Sequence, residues 1–348
     1  MLVDSTSSLH KLDKFFTIME MDRWNGFRDA EECGALLGTA AHGYEAMDFP
    51  TTVIELIKKR FEETNGSCEF GGCESDAMAP YYVAHLEDNL VDTMAECHLC
   101  EYAQGVGVEL GEKMRALRSS SAMTFNLLGN HRVRIVDSML APKGRYSINY
   151  EYQLPTLQGN PNKANLDARL LAENKNAVVY CEMKMAEWML GWMKMLRVSY
   201  LDPDRYLVPK EDAAVFIELF NGLVKGDPNW KGSRKTRFSR FDALQMAKHL
   251  LAIYTNLENE EASSIKLVNC IWEVRDTSLL APYEKKYEAW LATERLEFFD
   301  FIRTARPVYD LFEKRGFDLV IDYVPVDRFL ACLEKTDEQK AKLARYLV

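Results

Sequence analysis

The chain has 348 residues, 47% hydrophobic and 28% charged, a globular composition that excludes a disordered polymer. Its formal charge of −10 excludes a surface that is basic throughout, so any nucleic-acid contact must come from a local patch. No apolar run reaches the roughly 20 residues of a membrane helix and the start lacks a secretory pattern, so the expectation is a cytoplasmic protein with reduced thiols. Residues 1–50 read as irregular. A helix is predicted from Pro50–Thr52, where Thr52 and Glu55 have capping-box spacing and Val53, Ile57 and Phe61 recur every four residues. Thr64 to Glu74 is rich in glycine and cysteine and reads as a loop, and Tyr81 to Leu99 reads as helix. Arg118 to Gly129 is a short predicted helix, opened by serines and closed by glycine. Three strands follow at Tyr146–Leu154, Asn165–Leu171 and Ala177–Met185, with turns at Gly159-Asn160-Pro161 and Asn174-Lys175-Asn176. Helices are expected over Glu187–Leu196, Asp242–Leu257 and Pro282–Thr304, with strands at Ile265–Trp272 and Phe317–Tyr323 and a C-terminal helix. A helix, adjacent strands and then more helices make an α+β or mixed α/β pattern.

The chemistry concentrates in two of these strands. Alternation puts Val178, Tyr180, Glu182 and Lys184 on one face of a strand and Val179, Cys181 and Met183 on the other. If this strand forms an antiparallel hairpin with the preceding one, turning at Asn174–Lys175, Asp167 falls opposite Glu182. Directly opposed residues have Cβ atoms about 4.5–5.5 Å apart. Two carboxylates so close repel unless a positive charge joins them, and a hard divalent cation such as Mg²⁺ takes oxygen ligands of this kind. Lys184, one pleat further on, can stabilise a phosphate oxygen or orient a metal-bound water. The bland alternative is an exposed Glu–Lys pair on an edge strand with Asp167 on the surface.

Asp167 followed by Glu182-Met183-Lys184 resembles the Asp…Glu-x-Lys signature of the PD-(D/E)xK nuclease superfamily. The words around it, Arg118-Ser119-Ser120-Ser121-Ala122-Met123-Thr124-Phe125, Glu151-Tyr152-Gln153-Leu154, Ala164-Asn165-Leu166-Asp167 and Glu182-Met183-Lys184-Met185-Ala186-Glu187, resemble in their order a bacterial restriction-endonuclease family within that superfamily. The likeness spans roughly residues 115 to 275. Leu166 stands where the superfamily's name has proline. The resemblance implies a restriction-endonuclease-like core, a mixed central sheet flanked by helices. It also implies hydrolysis of DNA phosphodiester bonds with Mg²⁺ (or Mn²⁺) held by Asp167 and Glu182, assisted by Lys184. Glu151 is then a candidate third carboxylate, and Gln245 resembles the polar residue that some relatives carry on the helix after the core strands. Glu187, three residues beyond Lys184, is a candidate to hold its ammonium, with a solvated helix residue as the plain alternative.

The segment Lys231 to Arg240 carries five basic residues and no acid. Arg234, Lys235, Arg237, Arg240 and the nearby Lys248 are expected to meet phosphate, as is Arg118 at the start of the pre-core helix. A solvated loop and a simple helix cap are the plain alternatives. Cys68, Cys73, Cys97 and Cys100 form two close pairs that match a structural zinc site, with reduced thiols or an iron–sulfur cluster as rivals. Cys33, Cys181, Cys270 and Cys332 read as core, and His249 as a packing or surface histidine. This reading divides the chain into a mostly helical region over 1–114, with the candidate zinc site, and a nuclease domain with C-terminal helices over 115–348. It gives a Mg²⁺-dependent DNA endonuclease linked to restriction or defence. A homodimer would suit cutting of both strands. The alternatives are a nuclease-like module that binds nucleic acid without cutting it and a zinc-stabilised interaction protein.

Overall fold

The computed structural model describes residues 48–71, 79–105, 109–160, 163–190, 194–226 and 232–348. Cys33, Cys73 and Lys231 lie outside the described residues, as does most of the irregular N-terminal stretch. Strands apolar on both faces at the centre and alternating towards the edge build a six-stranded sheet. Its first four members are β1 (Arg132–Ile135), β2 (Gly144–Leu154), β3 (Ala164–Ala172) and β4 (Ala177–Lys184), an antiparallel meander. A two-stranded ribbon of β5 (Met195–Leu196) and β6 (Arg234–Lys235) stands apart. The sheet resumes with β7 (Ser264–Ile271) and β8 (Asp318–Pro325), which extend β4 in parallel. The order β1-β2-β3-β4-β7-β8 makes this a mixed sheet with β4 at its antiparallel-to-parallel junction.

Nine α-helices are described. α1 (Asp48–Asn65) starts before Thr52, which lies within the helix instead of at the cap expected of it, and buries Val53, Ile57 and Phe61, one apolar stripe at helical spacing. Gly66 ends it in the left-handed conformation that a side chain would strain. α2 (Glu96–Gln104) follows two short 3₁₀ turns, so the helix expected over Tyr81–Leu99 forms only at its end. The reason is tertiary: Asn89 is buried and donates to the carbonyls of Met114 and Ala116, which holds the segment to its neighbours instead of to itself. α3 (Ser120–Leu128) is capped by the Ser119 hydroxyl and ends at Gly129 with φ 84°. α4 (Lys210–Gly222) and α5 (Ala243–Thr255) lie between β4 and β7, and α6 (Glu284–Thr304) and α7 (Arg306–Lys314) between β7 and β8. α8 (Val326–Ala331) and α9 (Asp337–Leu343) close the chain. Of the helix expected over Glu187–Leu196, the described residues hold one 3₁₀ turn at Glu187–Leu190, and Met195–Leu196 pair as β5 with β6.

The sheet separates two apolar cores. One joins Val53, Phe61, Tyr102 and Phe125 to Val179, Cys181 and Met183 of β4, and the other joins Val178 and Tyr180 to Phe216, Leu250 and Phe301. Asp48–Val348 forms one compact unit, and side chains before Arg115 share the first core with the sheet. Buried Cys181, Cys270 and Cys332 are core, as read from the sequence. β2 and β3 change sides along their length. Tyr146, Ile148 and Tyr150 belong to the first core, whereas Leu154, of the same parity, belongs to the second. On β3, Ala168 and Leu170 face the first core and Leu166 the second. The change falls at Glu151 and Asp167, and Glu151 has φ 47°, rare for a residue with a side chain.

Candidate active site

The register between β3 and β4 is the expected one. Ala168 opposes Cys181 and Leu171 opposes Val178, with Lys175 at φ 56° in the turn between them. The ladder stops at the Ala168–Cys181 pair. The next amide along, that of Met183, donates to Asp167 Oδ2 at 2.6 Å, so the Asp167 side chain stands in for a backbone acceptor. This ties Asp167 to the strand that carries Glu182 and Lys184. Lys184 Nζ lies 2.5 Å from Glu182 Oε1 and donates to Gln245 Oε1 at 2.9 Å.

Glu182 is buried at the junction strand. Its Oε2 is 2.7 Å from His249 Nε2. Burial opposes its charge, but the Lys184 ammonium and the His249 hydrogen bond hold its carboxyl below the usual range. Asp167 goes the other way. Burial first, and then the Glu182 charge, push its carboxyl well up against the pull of Lys184. Burial also works against the Lys184 charge, but Glu182 and Asp167 outweigh it and raise that pKa. Two carboxylates from adjacent strands, one driven towards protonation by burial and by the other's charge, share one ammonium. Their oxygen donors fit a hard divalent cation such as Mg²⁺ or Mn²⁺.

Helix α5 supplies the wall behind them. Asp242 caps it by accepting the Gln245 N–H at 3.1 Å, and Gln245 and His249, one turn apart, face the sheet. Asp242 also pairs with Lys194, whose pKa burial and Lys184 repulsion lower to about 8. A cavity of about 170 Å³ opens beside Lys184, and its walls include Lys194, Arg240, Asp242, Asn269 and Glu294. Asn269 stands opposite Glu182 in the β4–β7 register, and its buried Nδ2 has no hydrogen-bond partner. Sequence reasoning missed Lys194, Asn269 and Glu294, which sit on separate elements with no shared spacing. His249, expected as a packing or surface histidine, is buried against Glu182. The signal for it was its i+4 spacing from Gln245.

Glu151 comes to the same end of the sheet. Its carboxylate accepts from Asn165 Nδ2, and a Cβ on Gly105 would fall 2.8 Å from its Oε2, so the glycine leaves the room it occupies. Burial raises its pKa to about 7, against the Asn165 hydrogen bond and with help from Glu109 and Glu182. Glu187 accepts the Met185 N–H at 2.7 Å and adds its charge to the surroundings of Lys184.

The basic segment divides. Arg234 is buried and donates to Asn221 Oδ1 at 2.6 Å and to the carbonyls of Gly226 and Lys225. Arg237 donates to the Gly222 carbonyl at 2.6 Å, pairs with Asp300 and stacks on Phe238. These contacts hold the ribbon and α6 in place, with the Arg234 guanidinium turned inward and Arg237 exposed. Arg240 donates to the Met189 carbonyl and lies 3.7 Å over the Trp290 ring, with one side on the cavity. Lys235 is exposed, whereas Arg118 and Lys248 are half-buried. Lys248 lies over Tyr200, and burial and Arg197 lower its pKa. Cys97 and Cys100 are exposed on α2, and Cys68 lies among Asp88, Glu62 and Lys58. Among the described residues, the group able to hold a metal through Cys97 includes His98 and His131, not Cys68 or Cys100.

A family profile described as restriction endonuclease associating with ARP matches residues 58–286. Neither the curated proteins nor the solved structures contain a match. The profile covers well over half the sequence, and it includes α1 beyond its start, the whole β2–β4 meander, α5 and β7 with the carboxylates and lysine they carry: the chain belongs to this family of restriction endonucleases.

Proposed function

We propose that the protein is a Mg²⁺- or Mn²⁺-dependent endonuclease that hydrolyses DNA phosphodiester bonds. Family membership supports a nuclease role in defence. The observation that carries the finer reading is the convergence of Asp167, Glu182 and Lys184 at the frayed end of the β3–β4 ladder, with Gln245 bonded to the lysine. A bound divalent ion would neutralise the scissile phosphate and lower the pKa of its water. Asp167 and Glu182 would hold that ion, and Glu151 would complete the carboxylate set. Lys184, kept charged by its acidic neighbours, would stabilise negative charge on the phosphate. Gln245 aims its ammonium, and His249 fixes the Glu182 carboxylate. Lys235, Lys248, Arg240 and Arg118 remain as phosphate contacts. The family's description pairs its members with ARP, and we extend that association to this chain.

The test is cleavage of supercoiled plasmid DNA with Mg²⁺ against chelator. Asp167→Ala, Glu182→Ala and Lys184→Ala should each lower the rate by about 10²-fold or more, with circular dichroism confirming the fold. Cleavage that survives both Asp167→Ala and chelation would overturn the reading. DNA binding with no cleavage under any metal would favour a non-cutting module.

A further inference from the structure

We propose that Cys97, His98 and His131 form a second metal site, for a zinc-type divalent ion, separate from the carboxylate centre. The ligand atoms of the three residues lie within 4.8 Å of one another. Cys97 Sγ is 3.7 Å from His131 Nδ1. A sulfur and a nitrogen that share a tetrahedral zinc at ordinary bond lengths are about 3.6 Å apart. This pair therefore stands at the right separation already.

His98 is the oriented ligand. Its Nε2 accepts the His131 backbone N–H at 2.9 Å, which requires the ring proton to sit on Nδ1. That proton is donated to Glu101 Oε2 at 2.7 Å. Glu101 is held in turn by the Tyr150 N–H at 3.1 Å and by Asn149 Nδ2 at 3.3 Å. A carboxylate on one imidazole nitrogen, presenting the other, is the arrangement that outer partners impose on metal-binding histidines. The ion would displace one contact, the His131 N–H on Nε2. His131 is exposed, so water can take that N–H.

The burial pattern fits entry from solvent, since His98 is buried and Cys97 and His131 are exposed. His131 has φ 54°, a conformation uncommon outside glycine and of the kind that collects at ligand sites. A thiolate and two imidazoles favour Zn²⁺, whereas the carboxylates favour Mg²⁺, so the two sites would not compete for one ion. The fourth position falls to solvent. The site shares only Cys97 with the four-cysteine set read from the sequence. It would pin the start of α2 to the residue before β1.

The experiment is Co²⁺ titration of the full, metal-stripped chain under reducing conditions. A thiolate-to-cobalt charge-transfer band and tetrahedral d–d bands should saturate at a single equivalent and be displaced by Zn²⁺. Cys97→Ser should abolish the charge-transfer band, and His131→Ala should weaken binding about tenfold or more. Cys68→Ser, Cys73→Ser, Cys100→Ser and Asp167→Ala should leave the band intact. The exposed His131→Ala keeps the test decisive if a His98 variant fails to fold. A band that survives Cys97→Ser, a band lost in Cys68→Ser or Cys73→Ser, or no cobalt bound at all would overturn the proposal.

Discussion

Glu294 is only 1% exposed, and its Oε2 has no hydrogen-bond partner. Burial, with the Glu297 charge behind it, raises its pKa to about 8. Between the ordinary carboxylate range and pH 8 the folded protein therefore holds a proton that the unfolded chain releases. The stabilisation is full below the ordinary range and is lost as pH rises through about 8. Urea unfolding at pH 5.5 and pH 8.5 should show the wild type losing about 3 kcal/mol more than Glu294→Gln over that span. Equal losses in the two proteins would show that the carboxyl ionises normally. His249 is a second residue whose setting carries meaning: its Nδ1 is buried without a partner, so the proton belongs on Nε2, aimed at Glu182.

Among the elements, the β6 ribbon separates composition from role. Arg234→Ala removes a guanidinium with three acceptors and leaves buried groups unpaired, which should cost about 2–4 kcal/mol and lower the melting temperature. Lys235→Ala should leave the melting temperature unchanged and reduce DNA affinity together with its salt slope. The reverse outcome would return Arg234 to the DNA-facing set. The sequence could not make this distinction, because a run of basic residues says nothing of which side chains turn inward. What was legible was periodic. β4 follows its alternation, β2 and β3 follow theirs only as far as Glu151 and Asp167, and the hairpin register follows from a turn at Asn174–Lys175 that needs one left-handed residue. α4 went unread although its signal is present: Pro209, then Glu211 and Asp212 in the first turn, then buried Ala213, Phe216, Leu219 and Phe220. β1 is four residues with two outward arginines, too short for a pattern. The cluster of Asp167, Glu182 and Lys184 was legible for the same reason as the hairpin, whereas Asn269 and Glu294 reach the cavity only through the order of the folded sheet.

At the scale of the whole molecule, the last residues return to the first core. Arg345 donates to the Asn89 carbonyl at 2.7 Å, the Tyr346 carbonyl accepts from Trp272 Nε1, and the Val348 carbonyl accepts from the Arg275 N–H. Asn126 joins these parts, accepting the Val91 N–H and donating to the Asn89 carbonyl and the Tyr346 hydroxyl. Asn126→Ala should cost about 2–4 kcal/mol, since several buried groups lose their partner at once. Removal of residues 345–348 should be at least as damaging. Either change should lower one cooperative transition in calorimetry. A separate early transition in the truncated chain would show that the N-terminal helices fold on their own.

The borrowed acceptor at Met183 has one more consequence. Because its amide hydrogen is bonded to a side chain that would bind the ion, that single resonance becomes a built-in gauge of loading. In a ¹⁵N-labelled sample, Mg²⁺ should move the Met183 peak and leave that of Val179, inside the regular ladder, in place. A Met183 peak indifferent to saturating Mg²⁺ would mean that Asp167 does not feel the ion at all.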